Sequence, residues 1–169
     1  MADRAYESVL ELGCGDGNQL RLAEYPNYVG ADGSKTAIEL CQKRFADDRT
    51  KEFVVAGAGK VPTCELGISL DVIYHLVEDD VFENYMDMLV RHSTRSVILY
   101  SSDLDWFAPE LPDARHIKRH HVCRWMDAQK NWQFVSRTRN QYPYVANSEG
   151  ETSFANWYIY DRIEAPSDS

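Results

Sequence analysis

Apolar residues in this chain fall in runs of four to six, separated by longer segments where they recur every three or four positions. The short runs are what strands buried on both faces look like, and the longer spacing is that of helices laid across them. In order, Val9 to Leu12 reads as the first strand. A helix follows from near Asp16 and stops before Pro26, whose ring cannot continue a helix interior. Tyr28 to Ala31 is the second strand, ending at Asp32. Ser34 then caps a helix in which Ala37, Ile38, Cys41 and Phe45 share a face. Phe53 to Ala56 is the third strand, and Gly57 to Gly67, with three glycines and Pro62, reads as a loop. Ile68 to Ile73 is the fourth strand. Glu78, Asp79 and Asp80 open a helix carrying Phe82, Tyr85, Met86 and Leu89 at i, i+3, i+4 and i+7, with the acids matching its positive end. Val97 to Tyr100 is the fifth strand and Ser101 to Pro112 is irregular. Val122 to Lys130 reads as a helix with His121 near its start, and strands at Trp132 to Ser136 and Phe154 to Tyr160 close the sheet. Strands alternating with helices predict an α/β architecture around a mostly parallel sheet.

The turn after the first strand carries the first chemical signal. Val9 to Asn18 reads VLELGCGDGN: an apolar run with Glu11 near its end, then Gly13, Gly15 and Gly17 on alternate positions. Such a backbone can bend sharply and lie close to a ligand at the start of the following segment. The dinucleotide fingerprint needs G-x-G-x-x-G, and position 18 is Asn18. Two readings of Asp32 stand on the residues alone, a turn residue before Gly33 or a ligand to a ribose. Glu11 is either a solvated acid at a strand end or part of the site.

The G-x-G-x-G spacing after an acidic residue resembles motif I of the class I S-adenosylmethionine (SAM) dependent methyltransferases. Asp32 lies about twenty residues on, where that family holds the cofactor ribose. The segment ISLDVIYHLVEDD, Ile68 to Asp80, resembles the fourth-strand motif of its small-molecule members. The resemblance implies a single Rossmann-like domain over residues 1–163 with a disordered tail at 164–169. It further implies a seven-stranded, mostly parallel sheet with the last strand antiparallel and helices on both faces. It implies SAM as cofactor, S-adenosylhomocysteine as product, and a cofactor site of Glu11, Gly13, Cys14, Gly15, Gly17, Asp32, Gly33, Ser69, Leu70 and Asp71. In it Glu11 orders the loop or meets the cofactor's amino group. Two departures stand out: Ala56, Gly57, Ala58 and Gly59 replace the acid often found after the third strand, and only eight residues precede the first strand. A short N-terminus leaves the pocket open, or closed by another subunit of a homodimer. The adenine-modifying DNA enzymes carry an Asn or Asp, two prolines and an aromatic after the fourth strand, and this chain does not.

Charge narrows the partners. A net charge of −9, from 18 Lys and Arg against 27 Asp and Glu, disfavours nucleic acid and anionic membranes. Between Asp113 and Arg139, however, seven basic side chains face two acidic ones. The cysteines Cys14, Cys41, Cys64 and Cys123 are scattered and form no C-x-x-C pair, which points to a reducing compartment without structural zinc. With no signal peptide and no membrane-length apolar run, the expected setting is soluble and cytoplasmic.

For the chemistry, His75 is the candidate base, one residue past Tyr74 beyond the fourth strand, where open parallel sheets bind ligands. Its alternative is a histidine satisfied by backbone. RHIKRHHVCRW, Arg115 to Trp125, gathers three histidines among four basic residues. It is a solvated face, a grip on an anionic acceptor, or a metal site from His116, His120 and His121 lacking a carboxylate of ligand spacing. The expected acceptor contacts are Tyr74, His75, Trp106, His116, Arg119 and His120, and no metal is called for. Trp106, Tyr142 and Tyr144 line the acceptor or plug the core edge. The expected function is methyl transfer to a small, anionic molecule, at oxygen in preference to nitrogen. Its rivals are a binding module that has lost the reaction and an NAD-dependent oxidoreductase.

Overall fold

A computed structural model describes residues 4–57, 60–105, 116–145 and 152–163. The expected site residue Trp106 and the tail at 164–169 lie outside the described residues. Seven strands form one sheet: β1 (Val9–Leu12), β2 (Tyr28–Asp32), β3 (Lys51–Val55), β4 (Cys64–Leu70), β5 (Ser93–Ser101), β6 (Trp132–Thr138) and β7 (Asn156–Arg162). Their order is β3-β2-β1-β4-β5-β7-β6. β1 to β5 pair in parallel, and β7 runs antiparallel to both of its neighbours. The last strand is therefore the reversed one, as the resemblance implies.

Helix α1 (Lys35–Arg44) buries Ile38 and Cys41 on one face of the sheet, with Val9, Tyr28, Phe53, Leu66 and Ile68. Helix α2 (Asp79–Arg91) and helix α3 (Val122–Asp127) cover the other. There Phe82, Met86, Leu89, Val122 and Met126 pack on Leu10, Leu12, Val97, Leu99, Tyr158 and Tyr160. Strand alternation sends Val9 and Glu11 to one side and Leu10 and Leu12 to the other. The strand order reverses between β1 and β4, so the ligand crevice of such a sheet opens at their carboxyl ends.

Three expectations are corrected. The helix expected from Asp16 to Pro26 is one 3₁₀ turn, Gln19–Leu22, after which the chain is extended at Ala23. Only Leu20 of that turn is buried, Leu22 is 91% exposed, and charged Glu24 stands where an α-helix needs its next apolar contact. The loop expected through Gly67 ends earlier, because β4 begins at Cys64. Gly67 sits inside that strand because a Cβ there would lie 2.0 Å from the Ser93 hydroxyl. The fourth strand stops at Leu70 rather than Ile73. Asp71 turns the chain with φ of 60°, and Ile73–His75 form a 3₁₀ turn.

Candidate active site

The β1–α1 half of the crevice is built by backbone geometry. Gly13, Gly15 and Gly17 all have positive φ, at 83°, 55° and 72°. Their reasons differ. A Cβ on Gly13 would lie 2.5 Å from Val72 Cγ2, so this glycine lets β1 close on the β4 turn. A Cβ on Gly15 would meet nothing within 4 Å, so that position combines a left-handed backbone with open space above it. The turn is tied down by Asp32, whose Oδ2 accepts the Gly15 N–H at 3.0 Å and whose Oδ1 accepts the Ser34 N–H at 2.8 Å. Each oxygen retains a lone pair for a ligand hydroxyl. Gly33 beside it is exposed, again with open space where a Cβ would point.

Glu11 lies below this turn and is 4% exposed. Its Oε2 accepts the Tyr28 hydroxyl at 2.6 Å. Burial pushes the carboxyl up from its ordinary value, and the Tyr28 hydrogen bond opposes that only in part. A carboxyl raised in the folded state gives stability that is present below the ordinary carboxylate range and is lost as pH rises through the raised value. Glu11→Gln, which keeps an acceptor for Tyr28, is therefore expected to melt above the wild type at pH 7, with the gap closing near pH 4. Melting curves across that range check it, and a gap independent of pH would assign the effect to packing. Cys14 and Cys41 are both buried, and each thiol donates to the Gly15 carbonyl, at 3.8 and 3.3 Å.

The β4 half is held by a residue the apolar pattern reads only as core. Tyr85 of α2 donates its hydroxyl to the Leu12 carbonyl at 2.6 Å and meets the Ser69 hydroxyl at 2.6 Å. It thus ties the end of β1 to β4 directly under the crevice. Helical spacing assigns the ring to the core but carries no signal for the hydroxyl's role. Tyr85→Phe is expected to cost about 1–3 kcal/mol by leaving buried groups unpaired. That is several degrees in melting temperature at about 2–4 °C per kcal/mol, read by calorimetry.

Beyond β4, Asp71 is the single non-glycine residue with positive φ among the described residues. Its Oδ1 accepts the Tyr74 hydroxyl at 2.6 Å, and its N–H donates to the Tyr100 carbonyl. Burial and the neighbouring Asp71 carboxylate both push the Tyr74 phenol up, so it stays protonated. His75 is exposed and packs on Tyr74 at 4.6 Å. Its Nδ1 lies 3.2 Å from the His116 carbonyl, and the two imidazoles stack at 6.1 Å. A carbonyl can only accept, so Nδ1 carries the proton of this contact, and in the neutral ring the lone pair lies on Nε2.

The basic segment separates on folding. Residues 116–121 are not helical and α3 begins at Val122, so His116 and His120 do not share the helix face a metal reading needs. His120 is buried, stacked on Phe82 at 3.9 Å, with Nε2 2.7 Å from the Leu76 carbonyl. Lys118 pairs with Asp79 at 2.6 Å and Arg124 with Asp105 at 2.8 Å. Arg119 is half-buried in the same stretch. The geometry therefore joins Tyr74, His75 and His116, and it turns His120 toward α2. No group of three His, Cys, Asp or Glu side chains converges as metal ligands among the described residues.

Residues 9–95, just over half of the chain, match the methyltransferase domain family. The chain belongs to that family. Solved structures agree on the fold of this methyltransferase. A magnesium protoporphyrin IX methyltransferase from Synechocystis PCC 6803, crystallised with SAM, is 16% identical, with a TM-score of 0.64 over 91% of this chain and 69% of its own. The N-methyltransferase NodS from Bradyrhizobium japonicum WM9 is 16% identical, with a TM-score of 0.65 over 95% and 88%. A SAM-dependent methyltransferase from Clostridium acetobutylicum ATCC 824 is 11% identical, with a TM-score of 0.66 over 95% and 85%. No protein of curated function matches the chain in sequence. No helix of the described methyltransferase is long and apolar enough to cross a membrane.

Proposed function

We propose that this methyltransferase binds SAM across the β1–β4 crevice and directs its methyl group to an oxygen of a small acceptor. The observation that carries the reading is that the open Gly15–Asp32 turn and the Asp71–His75 corner stand at the carboxyl ends of the adjacent strands β1 and β4. When bound, SAM supplies an electrophilic methyl on a sulfonium, open to in-line displacement. Asp32 takes the ribose hydroxyls, while Gly13 to Gly17 and Gly33 let the backbone approach. Glu11 and Cys14 order the turn from below, and Ser69, Leu70 and Asp71 flank the methionine end. Much of the acceleration then comes from holding acceptor oxygen and methyl at near-contact distance. His75 Nε2 takes the hydroxyl proton, supported by the tautomer that the His116 carbonyl fixes.

An anionic group on the acceptor faces His116 in this reading. The ion pairs of Lys118 and Arg124 narrow the support for it to that rim. A cytoplasmic setting is supported by four cysteines that are all buried and unpaired. The test is incubation with labelled SAM and a metabolite extract. Release of S-adenosylhomocysteine together with a methyl ether product is expected. SAM binding without turnover would overturn the proposed reaction and leave a cofactor-binding module.

A further inference from the structure

Under the glycine turn the fold brings two thiols together. Cys14 comes from the turn itself and Cys41 from α1. Each aims its sulfur at the same atom, the Gly15 carbonyl oxygen, at 3.8 and 3.3 Å, and the two side chains are within hydrogen-bonding reach of each other. Glycines leave room for them. A Cβ on Gly30 would lie 2.9 Å from Cys14 Sγ, and one on Gly17 would lie 3.0 Å from Cys41 Sγ. The two sulfurs therefore share one small space walled by the turn, β2 and α1. Cys64 and Cys123 belong to the core cluster on the opposite face of the sheet.

Two thiols in contact differ chemically from two held apart, because they close a disulfide once one of them is oxidised. Cys14 is 8% exposed and Cys41 fully buried, so a small oxidant meets Cys14 first. The oxidant class is a hydroperoxide. The Cys14 sulfur attacks its outer oxygen, the O–O bond breaks, and the leaving alkoxide departs with the thiol proton as an alcohol, which leaves Cys14 as a sulfenic acid. The Cys41 sulfur then attacks the Cys14 sulfur, the S–O bond breaks, and hydroxide departs with the Cys41 proton as water. The thiols have given up two electrons and two protons, and the hydroperoxide has become alcohol and water. Burial pushes both thiols up from their ordinary value, so they stay protonated and react slowly. Such a pair answers sustained oxidant rather than a brief pulse.

A bond between the sulfurs changes the turn that Asp32 holds. It removes both S–H donors from the Gly15 carbonyl and draws Cys14, the residue between Gly13 and Gly15, toward α1. Gly15 donates its N–H to Asp32 Oδ2, so the displacement reaches that carboxylate through a single hydrogen bond. Close packing around both sulfurs leaves the strain no other outlet than the turn, where a Cβ on Gly15 would meet nothing within 4 Å. We infer that Cys14 and Cys41 form a redox switch under the cofactor turn, in which the dithiol binds SAM and the disulfide binds it weakly. The inference rests on SAM lying at the Gly15–Asp32 turn, as proposed above, and adds a control to that site.

The test uses the full chain, first reduced and then incubated with tert-butyl hydroperoxide. Peptide mapping by mass spectrometry is expected to find a cross-link joining Cys14 to Cys41. The SAM dissociation constant of the cross-linked chain, read by calorimetry, is expected to rise at least tenfold and to return to the reduced value on adding dithiothreitol. In Cys41→Ala the constant measured after hydroperoxide is expected to match the one measured before it, whatever that variant's basal affinity. Absence of the Cys14–Cys41 cross-link, a cross-link that leaves SAM affinity within threefold, or a loss of affinity that persists in Cys41→Ala overturns the switch. Asp32→Ala, titrated alongside, separates the two readings. If it weakens SAM binding while the cross-link does not, the switch alone falls. If neither change touches SAM binding, the placement of SAM at this turn falls with it.

Discussion

Replacing Asp32 by alanine is expected to weaken SAM binding by at least a hundredfold, read by titration calorimetry. The carboxylate accepts the Gly15 and Ser34 N–H groups, which fixes the turn, and in the function proposed above the remaining lone pair on each oxygen takes a ribose hydroxyl. Hydrogen bonds to a charged group contribute about 1.5–3 kcal/mol each. Loss of two such bonds alone corresponds to at least two powers of ten at about 1.4 kcal/mol per tenfold. Freeing the Gly15 turn adds the cost of re-ordering a glycine-rich backbone on binding. Asp32→Asn retains one acceptor oxygen and is expected to fall between wild type and alanine. A dissociation constant within threefold of the wild type in Asp32→Ala would remove this residue from the cofactor site.

The place of Asp32 at the end of β2, beside the glycine turn, was readable because its signal is local and ordered: a strand, a glycine turn, a second strand, and an acid at its end. The same holds for the sheet, where short apolar runs between turn residues mark the strands whatever their partners. The segment after β1 was not readable in that way. Pro26 marks where a helix must stop, but not that too few apolar contacts precede it to sustain one, and a single 3₁₀ turn results. Tyr85 shows a second limit. Its partners lie 73 and 16 residues away in sequence, at Leu12 and Ser69, and no periodicity reports a hydroxyl's destination. The basic stretch shows a third. Composition counts Lys118 and Arg124 as charge for a ligand, but Asp79 and Asp105 take them once the chain is folded.

Replacing His75 by alanine is expected to lower kcat by about two to four orders of magnitude while SAM affinity stays within twofold. General base catalysis contributes about 10²–10⁴ to a proton-transfer step, which sets the size of the loss. His75 is oriented by its neighbours. The His116 carbonyl takes the Nδ1 proton, the Tyr74 ring supports one face of the imidazole, and Tyr74 is itself fixed by Asp71. The lone pair on Nε2 of the neutral ring can then accept a proton without disrupting the Nδ1 hydrogen bond that orients the imidazole. A structural role moves the melting temperature and lowers kcat and SAM affinity together. The opposite pattern, an unchanged melting temperature and SAM affinity with kcat alone reduced, separates a base from a brace.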